Sequence, residues 1–438
     1  MRAKWFGPNI AGLALWLLPG SVCPALGQYA SFEGRITTAE EVHNAVQPES
    51  LGFLRGLSWP HRTFSSGMEK GLVAFEKRKV RERYREAVDN LRKHGFSGHF
   101  GGMGEGSGFG GGAGYTIPAR EGHALNLLGL ITLTNYQEFE VHWSSRLGPS
   151  RFFGEGSYQW RPQENFYGLG HGSQRHSHTN FALRQTWGGV RWEAPPAKHF
   201  LWGALYRQAW IFASAGDNAA YPGPEIYFGR LAGYGSQTRL HSVGTYLDMN
   251  YLQGEYQWGG AAHWGASYQH GAGASHLRYF AYEMQLEGRM PVVSTSSVLV
   301  GQANFQLERE RSGSDPIPFY MQPHIGGSST LRGYPLDRFY GRNLALLTLE
   351  YRFKVHPNIQ VFPFFDEGQI FDRTSDLRWL NWHRNYGFGF RFRSPSPQGT
   401  FMRAEFGWSG EGLHVHITFG DRQRPPLLAP VRYGLYKR

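Results

Sequence analysis

A chain of 438 residues with a formal net charge of +11 and a mean hydropathy of −0.46 is too hydrophilic overall to be a bundle of membrane helices. Its 59 glycines and 16% aromatic residues are typical of β-rich proteins. They suit a transmembrane β-barrel, whose lipid-facing residues alternate with polar lumen residues, and equally a soluble β-sandwich or propeller. Composition alone leaves these classes open.

Residues 1–27 have the features of a secretory leader. Arg2 and Lys4 give a positive start, residues 10–18 form an apolar run, and small residues within 25–27 offer a cleavage site. The apolar run is too short for a membrane-spanning helix. The chain's single cysteine falls inside the leader, so the predicted mature protein has no disulfide bond.

The next segment, residues 28–95, combines an irregular start with one predicted helix. From about residue 67 to residue 94, apolar side chains recur at helical spacing. Between Lys70 and Lys93, nine Lys or Arg residues stand against four acids, so the helix is basic and amphipathic. A lumen plug, a helix lying on anionic lipid and a solvated periplasmic helix stay open as interpretations. Its position before the first strand favours the plug, and the export leader excludes nucleic acid as a partner.

Residues 96–420 consist of short stretches in which apolar and polar side chains alternate, separated by turn residues. Eleven such stretches precede residue 329 and five follow residue 342. Roughly 20 residues per strand and connection suffice for the ~9–11 residues that a tilted membrane strand needs. We therefore predict an all-β fold, a sixteen-stranded antiparallel transmembrane β-barrel with a short N-terminal helical segment, followed by a C-terminal tail over residues 421–438. The predicted strands are Phe96–Met103, Phe109–Ile117, Leu125–Thr134, Glu138–Arg146, Phe152–Arg161, Thr179–Trp192, Leu201–Ala213, Arg239–Tyr251, Ala261–Gly271, Leu277–Met290, Ser297–Glu308, Asn343–Lys354, Ile359–Ile370, Tyr386–Arg393, Thr400–Trp408 and Leu413–Phe419.

Several tryptophans stand near predicted strand ends, as in the aromatic girdles of membrane proteins. Core aromatic residues of a sandwich would give the same pattern. These residues are Trp143, Trp160, Trp187, Trp382 and Trp408.

The residues of the candidate site lie within positions 329–368. A glycine- and proline-containing loop with Arg332 leads into two strands of alternating pattern. Glu350 lies on the polar face of the first strand, and Phe364 and Asp366 share one face of the second. An arginine on a loop that folds inward can form a charge cluster with two carboxylates on adjacent strands, shielded from water.

These residues resemble the motifs of the BamA/TamA superfamily of outer-membrane assembly factors, also called the bacterial surface-antigen barrel family. The tetrapeptide at 331–334 is similar to its [VL]-R-G-[FY] signature, and residues 364–368 match its F-x-D-x-G motif. Residues 165–170 are similar to its N-F-x-G-[LI]-G segment. The candidate site residues are Leu331, Arg332, Gly333, Tyr334, Glu350, Phe364, Asp366 and Gly368.

The resemblance implies that the loop after the eleventh strand folds back into the barrel and that Arg332 pairs with Glu350 and Asp366, which latches the loop to the wall. It also implies insertion or translocation of protein or lipid at the outer membrane of a Gram-negative bacterium. The implied partners are outer-membrane lipid, client proteins and periplasmic proteins. Residues 28–95 are too short for the POTRA modules that recruit clients, so the resemblance is to a variant without them. The tail after Phe419 is a second departure, because family members usually end on that aromatic residue.

Two other functions stay open, a passive outer-membrane pore and an outer-membrane enzyme that hydrolyses lipid. The sequence contains neither a G-x-S-x-G nucleophile elbow nor a phosphate-binding loop. We therefore predict that the protein is not an enzyme and has no catalytic residues. His414 and His416 are two apart on one strand face, but neither cysteine nor clustered acids complete a metal site there. We predict neither a metal nor a cofactor.

Overall fold

The computed structural model describes residues 93–419, apart from 101–102, 104, 121–122, 253, 274, 293–295, 379–380 and 394–399. The predicted leader, residues 28–92 with nearly all of the predicted basic helix, and the C-terminal tail lie outside the described residues. The domain boundaries predicted for them stay predictions.

Sixteen strands form one antiparallel sheet in which each strand pairs with the next one along the chain. Two short strands, β12 and β13, form a separate ribbon inside the connection between β11 and β14. This confirms the predicted sixteen-stranded antiparallel fold. The strands are β1 Phe96–Phe100, β2 Gly110–Arg120, β3 His123–Thr132, β4 Gln137–Leu147, β5 Ser150–Phe166, β6 Thr179–Ala197, β7 Phe200–Ala215, β8 Gln237–Asn250, β9 Gly259–Gly271, β10 Arg278–Pro291, β11 Ser297–Glu310, β12 His324–Ile325, β13 Phe339–Tyr340, β14 Asn343–His356, β15 Ile359–Phe371, β16 His383–Arg393, β17 Thr400–Ser409 and β18 Gly412–Phe419.

Strand β5 continues five residues past the end that the sequence pattern predicts. Its pairing with β6 shifts register between Arg161 and Glu164, on either side of Pro162. A proline cannot donate a ladder hydrogen bond, so the pairing resumes only after a bulge. The extension delivers Phe166 into the interior, where it is fully buried.

Side chains alternate across the sheet as predicted. On β14, Leu349 is 46% exposed and its neighbour Glu350 only 1%. On β18, alternate residues Leu413, Val415 and Ile417 are exposed, whereas His416 is buried. Apolar side chains therefore cover the outer face, and polar and charged ones line the inner face.

Trp187 corrects one girdle assignment. It is buried on the inner face, and the guanidinium of Arg207 lies 4.3 Å from its ring centroid. A cation over an indole face is a favourable pair in a dehydrated setting. Trp143, in contrast, is exposed on the outer face, as a girdle residue would be.

Residues 311–342, which connect β11 to β14, pack against the inner face of the sheet; we call them the inner loop. One apolar cluster joins part of the loop, including Phe319 and Tyr340, to residues of β5–β8 and β10. A second joins another part, including Ile325 and Leu331, to β14 and β15. The inner loop therefore joins two walls. The inner-loop residues in these clusters are Ile317, Phe319, Tyr320, Met321, Ile325, Leu331, Tyr334, Phe339 and Tyr340.

The two ends of the sheet, β1 and β18, are not hydrogen-bonded to each other within the described residues. A side-chain contact connects their surroundings: Glu105, in the turn after β1, forms an ion pair of 2.7 Å with His416 of β18. The helices among the described residues are single turns, and none is long or apolar enough to cross a bilayer.

The outward band yields a prediction about Leu349. An arginine in its place would face hydrocarbon near the middle of β14, so Leu349→Arg should destabilise the folded barrel by about 2–4 kcal/mol. Val355→Arg, on the same face near the end of the strand, should cost about 0–1 kcal/mol. Urea titration in lipid vesicles measures both, and equal effects would contradict a lipid-facing band.

Candidate functional site

The sheet register places the predicted carboxylates side by side. In the pairing of β14 with β15, Thr348 lies opposite Asp366 and Glu350 opposite Phe364, so the two acids are diagonal neighbours on the inner face. The inner loop passes over this point. Residues that are 16 positions apart in the chain thus present two carboxylates to one place.

The side chain of Arg332, in the inner loop, reaches these two carboxylates. All three nitrogens of its guanidinium group donate hydrogen bonds. Nε and Nη2 donate to the two oxygens of Asp366, at 2.8 and 2.6 Å, which is a bidentate pair. Nη1 donates to Glu350 at 2.6 Å and to Glu405 of β17 at 2.9 Å. The side chains of Arg332 and Asp366 are both 0% exposed.

Two further arginines make the cluster electrically balanced. Arg352 donates to Glu350 at 2.7 Å, and Arg403 donates to Glu405 at 2.7 Å. With Arg332, three guanidinium groups meet three carboxylates, since Asp366 is the third. A buried charge is tolerable only when it is paired and hydrogen-bonded, and this set satisfies that condition. We call these six side chains the charge cluster.

The surroundings of Arg332 keep it charged. Burial by itself lowers the pKa of its guanidinium, but Asp366, Glu350 and Glu405 raise that pKa well above its ordinary value. The ring of Phe364 adds a cation–π contact, with its centroid 3.5 Å from the guanidinium carbon.

The remaining residues of the tetrapeptide fit the loop against the wall. Leu331 is fully buried in the apolar cluster over β14 and β15. Tyr334 is buried too, and its hydroxyl donates to the carbonyl of Arg384 at 3.3 Å. At Gly333 a Cβ would lie 2.5 Å from the Cβ of Asn385 and 2.9 Å from the carbonyl oxygen of Trp408, so only glycine allows this approach.

Gly368 lies beneath the inner loop on β15. A Cβ there would meet Ile325 and Leu346 at 3.1 and 3.2 Å. The eight predicted site residues therefore all lie where the inner loop meets β14–β17.

Two side chains that the sequence motifs do not single out complete this contact. Glu405 supplies the third carboxylate, and Nε2 of His416 donates to the carbonyl of Arg332 at 2.8 Å. Alternation does place Glu405 on the inner face of its strand. Many inner-face acids share that signal, so the sequence cannot say which of them meets Arg332.

The sequence motifs do not single out Arg338, a second arginine of the inner loop, either. It donates to both carboxylate oxygens of Glu411, at 2.9 and 3.1 Å, and to the hydroxyl and carbonyl of Ser173. Ser173 belongs to the β5–β6 connection and Glu411 to the β17–β18 turn. Arg338 thus ties the inner loop to connections on two sides of the sheet.

The chemistry of the site is that of attachment. Its carboxylates are each bonded to guanidinium groups, and within the described part of the chain no group of three or more His, Cys, Asp or Glu side chains could hold a metal ion. We propose that this arrangement fixes the inner loop to the inner wall.

Arg332→Ala should release the inner loop. It removes one partner of a buried charged set, so opening of the loop should become easier by about 3–5 kcal/mol, and tryptic cleavage after the buried Arg338 should accelerate by about a hundredfold or more. Mass spectrometry of limited digests measures this cleavage.

Arg342→Ala is the matched control, because Arg342 lies at the end of the same loop in a half-exposed ion pair with Glu310. It should change cleavage after Arg338 little. Equal cleavage rates in the wild type and Arg332→Ala would show that the charge cluster does not hold the loop.

Part of the chain is similar to a known family of domains. Residues 254–417 match the model of the Omp85 superfamily domain. They include β9–β18, the inner loop and the charge cluster. No curated protein matches the chain.

One solved structure supports the fold. BamA from Haemophilus ducreyi lacking POTRA domains 1–3 is similar with a TM-score of 0.55 and 14% identity, over 74% of this chain and 69% of that chain. CdiB from Acinetobacter baumannii and CdiB from Escherichia coli give TM-scores of 0.48 and 0.49, with 10% and 13% identity over 74% of this chain. The chain covers only 59% and 61% of those two. Residues 254–417 are therefore similar to an Omp85 superfamily domain, and the fold of the chain is similar to that of BamA.

Proposed function

We propose that this protein is an outer-membrane barrel of a Gram-negative bacterium that inserts or translocates protein, or lipid, across that membrane. The observation that carries the proposal is the fully buried Arg332 with its three carboxylates. It fixes a 32-residue connection inside the sheet, at the place where the family signature lies.

The position of the charge cluster suits work on an incoming strand. Through His416 and Glu405, the inner loop is attached to β17 and β18, and β18 is an end of the sheet order. A sheet edge offers backbone N–H and C=O groups to which another chain can add a strand. The inner loop would hold this edge in one geometry while a client strand pairs with it.

A passive pore is the rival function, and the same loop speaks against it. The inner loop carries fully buried apolar side chains from one wall to the other, including Phe319 and Ile325. Space filled by such side chains cannot conduct solutes freely. We propose no catalytic step and no cofactor, because the charge cluster serves attachment.

The partners that fit this function are membrane lipid around the apolar outer face, client proteins at the sheet edge, and a separate periplasmic protein. Lipid hydrolysis, the other rival, would require a nucleophile with a positioned base.

The test is reconstitution of the full chain in lipid vesicles, followed by addition of an unfolded small β-barrel protein. Its insertion, measured as protection from protease, should be faster than in empty vesicles. Arg332→Ala should lose most of that acceleration, and Arg342→Ala should keep it. If vesicles with the wild-type protein insert the client no faster than empty ones, the proposal is wrong.

A planar-bilayer recording distinguishes the proposed function from that of a passive pore. Steady openings of large unitary conductance by the wild-type protein would favour a passive channel.

Outer-membrane protein profiles of cells with and without the chain complete the test, because an assembly factor should change the amounts of other barrel proteins.

A further inference from the structure

The connection between β8 and β9 lies at the end of the sheet opposite the inner loop. β11 runs from Ser297 to Glu310, where the inner loop follows, and the antiparallel order from β11 back to β8 places Asn250 and Gly259 at the other end. Residues 254–258 of this connection are described, and we call them the strap.

The strap does not stay beside its own strands. Nε2 of Gln360, on β15, donates to the carboxylate of Glu255 at 3.0 Å and to the hydroxyl of Tyr256 at 2.7 Å. Arg391 of β16 donates to the same carboxylate of Glu255 at 3.4 Å. Gln360 and Arg391 are cross-strand partners, so they form one anchor on the wall.

The path to this anchor crosses the inside of the sheet. Three strands, β10, β11 and β14, separate β9 from β15. On the way, Arg289 of β10 donates to the carbonyl of Gly254 at 3.4 Å. The anchor faces inward, because Gln360 is 1% exposed and belongs to the same alternating set as Phe362 and Phe364. The strap therefore passes over the ends of β10, β11 and β14 on the inner side of the sheet.

Charge explains why an acidic strap is held here. The inner wall below the inner loop carries Arg391 in addition to the six balanced side chains of the charge cluster. The guanidinium groups of Arg391 and Arg403 lie 5.7 and 4.9 Å from the ring of Phe362, one on each neighbouring part of the wall. Glu255 pairs with Arg391 at 3.4 Å and so brings a carboxylate to this arginine-rich part of the wall.

The strap is held more weakly than the inner loop. The side chains of Glu255 and Arg391 are 22% and 12% exposed, whereas Arg332 and Asp366 are 0% exposed. Solvent weakens partly exposed ion pairs, and segments with few buried contacts open at low free energy. The contacts of the strap are therefore less well shielded from water than those of the charge cluster.

We propose that residues 254–258 form a gate that closes the lumen at the end opposite the inner loop, held by the Gln360–Arg391 anchor. The gate opens by release of Glu255 and Tyr256 while the charge cluster stays intact. This proposal does not depend on the proposed function, because such a gate would serve a pore and an assembly factor alike.

The labelling rate of a single cysteine in the lumen reports whether the gate is open or closed. Gln302 of β11 lies on the inner face, level with Thr348 and between the two closures. In a Cys23→Ser background, Gln302→Cys is labelled in oriented proteoliposomes with a membrane-impermeant maleimide on the strap side. Glu255→Ala and Gln360→Ala should each accelerate labelling about five- to tenfold or more, since a factor of this size corresponds to loss of one typical intramolecular hydrogen bond.

Gln257→Ala is the matched control, because Gln257 is an exposed residue of the same strap. It should leave the labelling rate unchanged. Equal rates in all variants and the wild type would overturn the gate, and so would an acceleration by Gln257→Ala as large as the others. A heat-dependent shift in gel mobility confirms that each variant is folded.

Cross-linking tests the position of the strap by itself. In the same Cys23→Ser background without the lumen cysteine, Tyr256→Cys combined with Gln360→Cys should be bridged by a short bis-maleimide. Gln257→Cys with Gln360→Cys should be bridged much less. Failure of the first pair to cross-link in folded protein would show that the strap does not cross the lumen.

Discussion

The structure depends on one constraint, the burial of a guanidinium that has no access to water. Arg332 is 0% exposed, and such a charge is tolerable only with carboxylates on almost every side. Meeting it requires a loop that folds inward, strands whose register aligns Glu350 with Asp366, and a third acid from β17. The inward fold of the loop, the register of the strands and the placement of the acids are therefore all required by the burial of Arg332.

The remainder of the inner loop follows from that attachment. A loop fixed at Arg332 brings its apolar side chains to both walls, where Phe166 of the extended β5 packs against Phe319 with ring centroids 4.7 Å apart. Arg338 then ties the outer part of the loop to Ser173 and Glu411. Charged contacts set the position, and apolar contacts fill the space around it.

The two ends of the lumen show how the same kind of pair serves different purposes. At the charge cluster, complete burial makes separation of the partners expensive, so the inner loop behaves as part of the wall. At the strap, Gln360, Arg391 and Arg289 hold a short segment through contacts that include a partly exposed ion pair, so we propose that it can leave at lower cost. Solvent exposure, more than the identity of the residues, separates a permanent attachment from a reversible one.

The sequence by itself determined the alternation of strand faces, the number of strands, and the three residues Arg332, Glu350 and Asp366, because period-two patterning and short motifs are local properties of the chain. The placement of Glu405, Arg338, Trp187 and the strap was decided only by the tertiary structure. Each depends on which distant strands curve towards each other, and alternation assigns a side chain to the inner face without naming what it meets there.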